Sequence, residues 1–210
     1  VLAGVRSTSA ENAVKGLGLV RFLEPVELYT VYATNQASDM HYLRAKISEL
    51  RPFINAVVEA VVSSVPQKTP GGHVFFEIRD ESGSVTCAAY FPTGRLRNVV
   101  SALRPGDEVV VMGAVKQKPQ GLTVNIEKIE VKHIAPEYVT RPPKCPTCGR
   151  RTESMGHGKG YRCRRCRLKL PPQATEKTAV LREITPGLYE AAVSARRHLT
   201  KPINLSTPRA

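Results

Sequence analysis

Two cysteine pairs constrain this chain more than anything else in it. Cys145-Pro-Thr-Cys148 and Cys163-Arg-Arg-Cys166 are CxxC knuckles separated by 14 residues. The two-residue gap lets both sulfurs of a knuckle reach one ion at about 2.3 Å, and two knuckles complete a tetrahedron. The surrounding stretch, Lys144–Leu170, offers Met155, Tyr161, Leu168 and Leu170 as its few large apolar side chains. A segment this poor in core cannot fold unaided, so Cys145, Cys148, Cys163 and Cys166 are expected to hold a structural zinc in a zinc ribbon. Four thiolates leave no open coordination position, which argues against a catalytic metal. Disulfides are the competing use. No signal-peptide pattern precedes the cysteines, and a fifth cysteine, Cys87, would be left over, so a reduced cytoplasmic setting is expected. Cys87 lies in an apolar strand-like run and reads as a small core residue.

Charge points the same way. The formal net charge is +13, and residues 136–210 hold 16 basic against 5 acidic side chains, so nearly all of the excess lies there. An excess concentrated in one region suggests a binding face for a polyanion, with nucleic acid first. A merely solvated basic tail is the bland alternative. The zinc–thiolate centre carries about −2 and accounts for two or three of the basic groups around it. Lys159, Arg162, Arg164, Arg165, Arg167 and Lys169, with Tyr161 set among them as a stacking surface, are the ribbon's candidate RNA contacts. No run of 18 uncharged apolar residues exists, so no membrane span is expected.

Upstream of the ribbon the chain alternates strands and turns. Ile54–Val65, His73–Arg79, Ser84–Phe91, Glu108–Val115 and Leu122–Lys132 read as strands, with an amphipathic helix over Gly94–Leu103 between the third and fourth. Five strands with a helix in that position is the element order of the OB-fold barrel. Such barrels bind single strands by stacking bases on aromatics and tracking phosphates with cations. Phe75, Phe76, Tyr90 and Phe91 are the stacking candidates here, and Arg79, Arg95, Arg97, Lys116 and Lys118 the phosphate candidates. Strand alternation allows only one of Phe75 and Phe76 to face outward, and the pattern leaves that choice open.

Residues 1–50 read as a piece of an α/β unit. Val1–Val5 suggests a strand, Thr8 with Glu11 a capping box for a helix over Ala13 to Leu19, and Glu27–Ala33 a second strand. Two strands and a helix cannot bury a core alone, and the chain starts without Met, so a larger upstream portion is expected. Leu43–Leu50 suggests a helix, and one longer helix kinked at Pro52 is the alternative. The polar run Thr34, Asn35, Gln36, Asp39 and His41 follows a strand, where side chains often face a ligand. Asp39 and His41 have the spacing of an acid–base couple, or Asp39 simply caps the next helix. The P-loop, Gly-x-Ser-x-Gly and His-Glu-x-x-His patterns are all missing from these residues, so no self-contained catalytic set is expected.

Four motifs occur in a fixed order: Thr34-Asn35-Gln36-x-x-Asp39-x-His41, Pro70-Gly71-Gly72-His73-Val74-Phe75-Phe76, the Cys145–Cys166 knuckles, and Ala195-Arg196-Arg197-His198-Leu199-x-x-Pro202. Together they make the chain resemble the C-terminal half of the archaeal isoleucine-tRNA agmatidine synthetases. Ala37-Ser38 stand where that family usually shows Gly-Thr, which leaves open a ligand role for the loop. The resemblance implies a multidomain α+β chain. Residues 1–50 would end a ferredoxin-like domain, 51–135 would form the OB-fold barrel, 136–175 the zinc ribbon, and 176–210 a C-terminal extension. It implies an ATP-dependent ligase joining agmatine to the wobble cytidine of an isoleucine tRNA with a CAU anticodon. The kinase-like catalytic domain would lie upstream, and this chain would be the tRNA-holding part, adding Arg196 and Arg197 to the candidate contacts. The alternative is a non-catalytic single-strand binder built from an OB fold and a zinc ribbon.

Overall fold

The computed structural model describes residues 3–33, 41–197 and 200–205. Helix α1 spans Ala10–Gly18, and Ser9, not Thr8, caps it by accepting from the Asn12 N–H at 3.1 Å. The remaining elements are strands β1 (Tyr42–Arg44), β2 (Asn55–Val62), β3 (Gln67–Lys68), β4 (Val74–Asp80) and β5 (Gly83–Ala89), helix α2 (Arg95–Ala102), and strands β6 (Glu108–Lys118), β7 (Gly121–His133), β8 (Glu137–Arg141), β9 (Glu153–Ser154), β10 (Tyr161–Arg162), β11 (Lys169–Leu170), β12 (Glu176–Val180) and β13 (Gly187–Glu190).

The barrel follows from which residues alternate. In β2 the buried positions are Ala56, Val58, Ala60 and Val62, and β4 buries Val74, Phe76 and Ile78. β2 pairs antiparallel with β6 and with β4, β6 with β7, and β4 with β5, while β5 runs parallel to β7. That cycle, β2–β6–β7–β5–β4–β2, returns to its start and encloses one apolar core. Helix α2 covers it with Leu96, Val99 and Val100. Cys87 is fully buried in this core, and burial pushes its thiol pKa up, as expected of an inert packing residue.

A bulge bends the β6–β7 ribbon between Met112 and Gly113, where the register skips Glu127. Gly113 is required there. A Cβ at that position would lie 2.1 Å from the Asn125 carbonyl oxygen. Gly113→Ala should therefore cost about 3 kcal/mol of stability, because backbone rather than a pliable side chain must move. A shift in the urea midpoint of less than a few tenths molar would show that the bulge does not need the glycine.

Three expectations are corrected. Ala3–Val5 form no strand, and Val1 and Leu2 lie outside the described residues. Glu27–Ala33 forms no strand and pairs with none among the described residues, and Leu28, Tyr29 and Tyr32 are exposed. A strand is defined by its partner, and propensity alone cannot supply one. Leu43–Leu50 is not a helix: β1 runs parallel to β2 in register Tyr42↔Asn55, followed by a 3₁₀ turn at Ile47–Glu49. The helical spacing of Leu43, Ile47, Leu50, Ile54, Val57 and Val61 is coincidental, since β2 buries its even-numbered residues instead.

The barrel also recruits strands from outside its own span. β1 joins it at β2, and β13 adds antiparallel to β7, with Tyr189 opposite Ile129. Between them, β8 and β12 form a two-stranded ladder, Glu137↔Val180 to Arg141↔Glu176, at the root of the ribbon. A buried ion pair locks the segment beyond β12 to the barrel. Arg182 donates to Asp107 at 2.7 Å and to the Ala102 carbonyl at 2.7 Å, and the Asp107 carboxylate also accepts from the N–H groups of Arg104 and Ala135.

Candidate metal centre and nucleic-acid interface

Each knuckle is a tight turn closed by its own backbone. The Gly149 N–H donates to the Cys145 carbonyl, and the Arg167 N–H to the Cys163 carbonyl, each at 2.8 Å. The residue after the second cysteine has positive φ in both, +70° at Gly149 and +57° at Arg167. Gly160 is equally constrained, since a Cβ there would sit 2.2 Å from the Leu170 carbonyl oxygen. These turns bring the four sulfurs within 4.8 Å of one another, with Cys148 and Cys163 Sγ 3.6 Å apart. A tetrahedron of 2.3 Å Zn–S bonds has edges of about 3.8 Å, so the cluster has the dimensions of a closed Cys₄ site. Burial opposes ionisation of Cys145, but the N–H groups of Cys148 and Thr147 outweigh it and hold its pKa at about 6. Contact with Cys148, then burial, drives the Cys166 pKa up to about 12. Four sulfurs this close cannot all be thiolates unless a cation compensates them.

The ribbon's basic side chains are displayed rather than internally neutralised. Lys159, Arg162, Arg164, Arg165, Arg167 and Lys169 are all exposed, and Tyr161 is half-buried on β10. Arg164 pairs with Glu153 at 2.7 Å in a solvent-exposed bridge, which screening makes weak. Arg167 keeps a long charged side chain at a left-handed position where the other knuckle uses glycine.

On the barrel the candidates separate into groups. Phe76 is buried in the core and Phe75 faces outward. Phe75 packs edge-on against Tyr90 at 6.0 Å, and His73 does so at 5.2 Å. Arg97 lies 5.1 Å over the exposed Phe91 ring and donates to the Gly72 carbonyl. Phe91 and His73 thus join Phe75, Tyr90 and Arg97 in one aromatic patch. Phe91 was already a stacking candidate from the sequence, whereas His73 was not, although it stands directly before the β4 run that carries Phe75. Arg95 stands apart, over the Tyr189 ring at 5.5 Å. Arg79 shares a groove with Glu59, Glu81 and Glu108, and Lys118 sits at the exposed β6–β7 hairpin. Lys116, Arg196 and Arg197 gather at a different place, a cleft between the barrel and the C-terminal segment. Of the polar run after Glu27–Ala33, Thr34, Asn35, Gln36 and Asp39 lie outside the described residues, and His41 is exposed.

A closed OB barrel with a Cys₄ ribbon and a displayed basic face defines a protein of the nucleic-acid-binding OB-fold and zinc-ribbon class. Residues 56–132 match the family model of the OB-fold nucleic acid binding domain, and residues 142–184 match that of the TiaS C-terminal zinc ribbon domain. The chain is 43% identical over 204 residues to the isoleucine-tRNA 2-agmatinylcytidine synthetase TiaS of Archaeoglobus fulgidus, covering 97% of this chain and 47% of that protein. The Methanosarcina mazei synthetase is 42% identical, with 97% and 46% covered. A crystal structure of TiaS in complex with its isoleucine tRNA and ATP superposes with a TM-score of 0.76 at 40% identity, covering 93% of this chain and 45% of that one. The chain belongs to the TiaS family of isoleucine-tRNA 2-agmatinylcytidine synthetases and corresponds to its C-terminal half. It spans about half the length of the relatives it matches.

Proposed function

We propose that this chain is the tRNA-holding part of an ATP-dependent ligase that joins agmatine to the wobble cytidine of an isoleucine tRNA with a CAU anticodon. The observation that carries this is the extent of the likeness: 93% of the chain superposes on a synthetase solved with its isoleucine tRNA and ATP. A generic single-strand binder has no reason to keep the segments flanking the barrel and the ribbon. In this reading Cys145, Cys148, Cys163 and Cys166 hold a structural zinc, which rigidifies the ribbon so that Lys159, Tyr161, Arg162, Arg164, Arg165, Arg167 and Lys169 face RNA together. The barrel adds Phe75, Tyr90 and Arg97. ATP and agmatine are handled by the part of the full-length enzyme that this chain does not span, and residues 1–50, the end of a ferredoxin-like domain, meet it through the exposed apolar side chains between 19 and 33. The setting is cytoplasmic.

The test is a salt series of binding to two RNAs with the same anticodon, an isoleucine tRNA and an elongator methionine tRNA. Preference for the isoleucine tRNA is expected. Equal affinities would remove these domains from tRNA selection. Replacing Arg164, Arg165 and Arg167 together by alanine should weaken binding and lower the magnitude of the salt slope by about 2, for three lost phosphate contacts. An unchanged slope would show that this face does not meet phosphate.

A further inference from the structure

A cleft of about 240 Å³ lies between the outer face of β6–β7 and the segment following β13. Two residues that line it, Asn125 and Thr200, each carry a buried side-chain oxygen with no partner among the described residues. Thr200 is 8% exposed, and neither its Oγ1 nor the Oδ1 of Asn125 has a hydrogen bond there. Burying such atoms unpaired is costly, so a site that keeps both is built for something that supplies donors and acceptors. The charges in the cleft are unequal. Its acid, Glu127, is already engaged by Arg197 and by the Tyr42 hydroxyl at 2.9 Å. Lys116 also lines the cleft, and its ammonium lies 5.6 Å over the ring of Phe53 rather than against a carboxylate. Phe53 is itself anomalous: φ is +71° and the side chain is 86% exposed. A bulky residue held in the left-handed region, with its ring in water, is a strained display rather than a packing solution.

We propose that this cleft takes one unpaired nucleotide of the bound RNA. The phosphate lies between Lys116 and Arg197. A base amine or ribose hydroxyl donates to Asn125 Oδ1 and meets Thr200 Oγ1. The exposed ring of Phe53, held beside the cleft's Lys116, supplies the stacking face. The volume suits one nucleoside and is too small for a base pair. The site is separate from the aromatic patch of Phe75 and Tyr90, and the proposal rests on the RNA-binding reading above.

The experiment uses the full chain, a short single-stranded oligoribonucleotide carrying 2-aminopurine, and a blunt RNA duplex. Wild type should quench the 2-aminopurine on binding. Phe53→Leu should abolish the quench and weaken single-strand binding by roughly 5-fold or more. Thr200→Val should weaken it roughly 3- to 10-fold while raising the melting temperature, because a buried unpaired hydroxyl is removed. Neither variant should change duplex binding. Unchanged single-strand affinity and quench in both variants would overturn the proposal. In that case duplex binding that still falls with the Arg164, Arg165 and Arg167 replacements would leave the RNA-binding reading standing. A wild-type chain that binds neither RNA overturns both.

Discussion

Replacing Cys148 and Cys163 together by serine is expected to unfold the ribbon and abolish stoichiometric zinc. The magnitude is large because, on the structural-zinc reading proposed above, the metal stands in for a core. Lys144–Leu170 buries Cys145 and Cys163, but Leu168 is exposed and Tyr161 only half-buried. Structural zinc in small domains contributes about 10–16 kcal/mol at neutral pH. The three short strands β9, β10 and β11 pair over two residues each, far too little to persist alone. The barrel should survive, since its core of buried aliphatics shares no residue with the ribbon. Metal analysis with two-dimensional amide spectra checks this. Retained dispersion of ribbon amides in the metal-free variant would contradict the metal-nucleated fold. The same loss is expected when wild type is treated with a chelator, and on acidification, because proton binding at the sulfurs competes with the metal.

The second large effect is expected at Asp107. This carboxylate is fully buried and accepts from the Arg182 guanidinium and from the N–H groups of Arg104 and Ala135. Asp107→Ala leaves the buried Arg182 charge without its partner, and breaking such a pair costs about 3–5 kcal/mol. Because Arg182 ties the chain beyond β12 to the barrel, the variant should also release that segment to limited proteolysis. Burial alone would raise the Asp107 pKa, but Arg182 and the backbone donors outweigh it and hold the carboxyl below the ordinary carboxylate range. A depressed carboxyl contributes stability that is complete above its unfolded-state pKa, about 3.9, and is lost as pH falls through the folded value. Wild type should therefore lose stability below about pH 4, and Asp107→Ala should lose less over the same interval. Equal acid slopes would mean that the pair does not govern acid stability.

The four-cysteine cluster was legible in the sequence because a CxxC knuckle is a local object whose spacing alone brings its sulfurs together. The barrel's strands were nearly as legible, since alternation and turn residues such as Pro105-Gly106-Asp107 mark them without reference to partners. Legibility failed where an element depends on what lies beside it. Leu43–Leu50 carried a helical period but lies against β2 as a strand and a turn. Phe75 and Phe76 were indistinguishable until the β4–β5 register placed Phe76 opposite Cys87 inside the barrel. Arg79 and Arg97 looked alike as cations, yet one sits among Glu59, Glu81 and Glu108 and the other against Gly72 and Phe91.

Read along the chain alone, the residues already specified a four-cysteine ribbon, a five-stranded barrel and a concentrated basic segment. Those follow from spacing, alternation and charge, which are properties of neighbours along the chain. What needed the folded chain was that β13 extends the barrel, that Arg182 meets Asp107 across 75 residues, and that Lys116, Asn125 and Thr200 line one cleft, with the Phe53 ring against Lys116. Those depend on which distant segments share an edge or a buried charge, and no local pattern encodes a partner that lies far away in sequence.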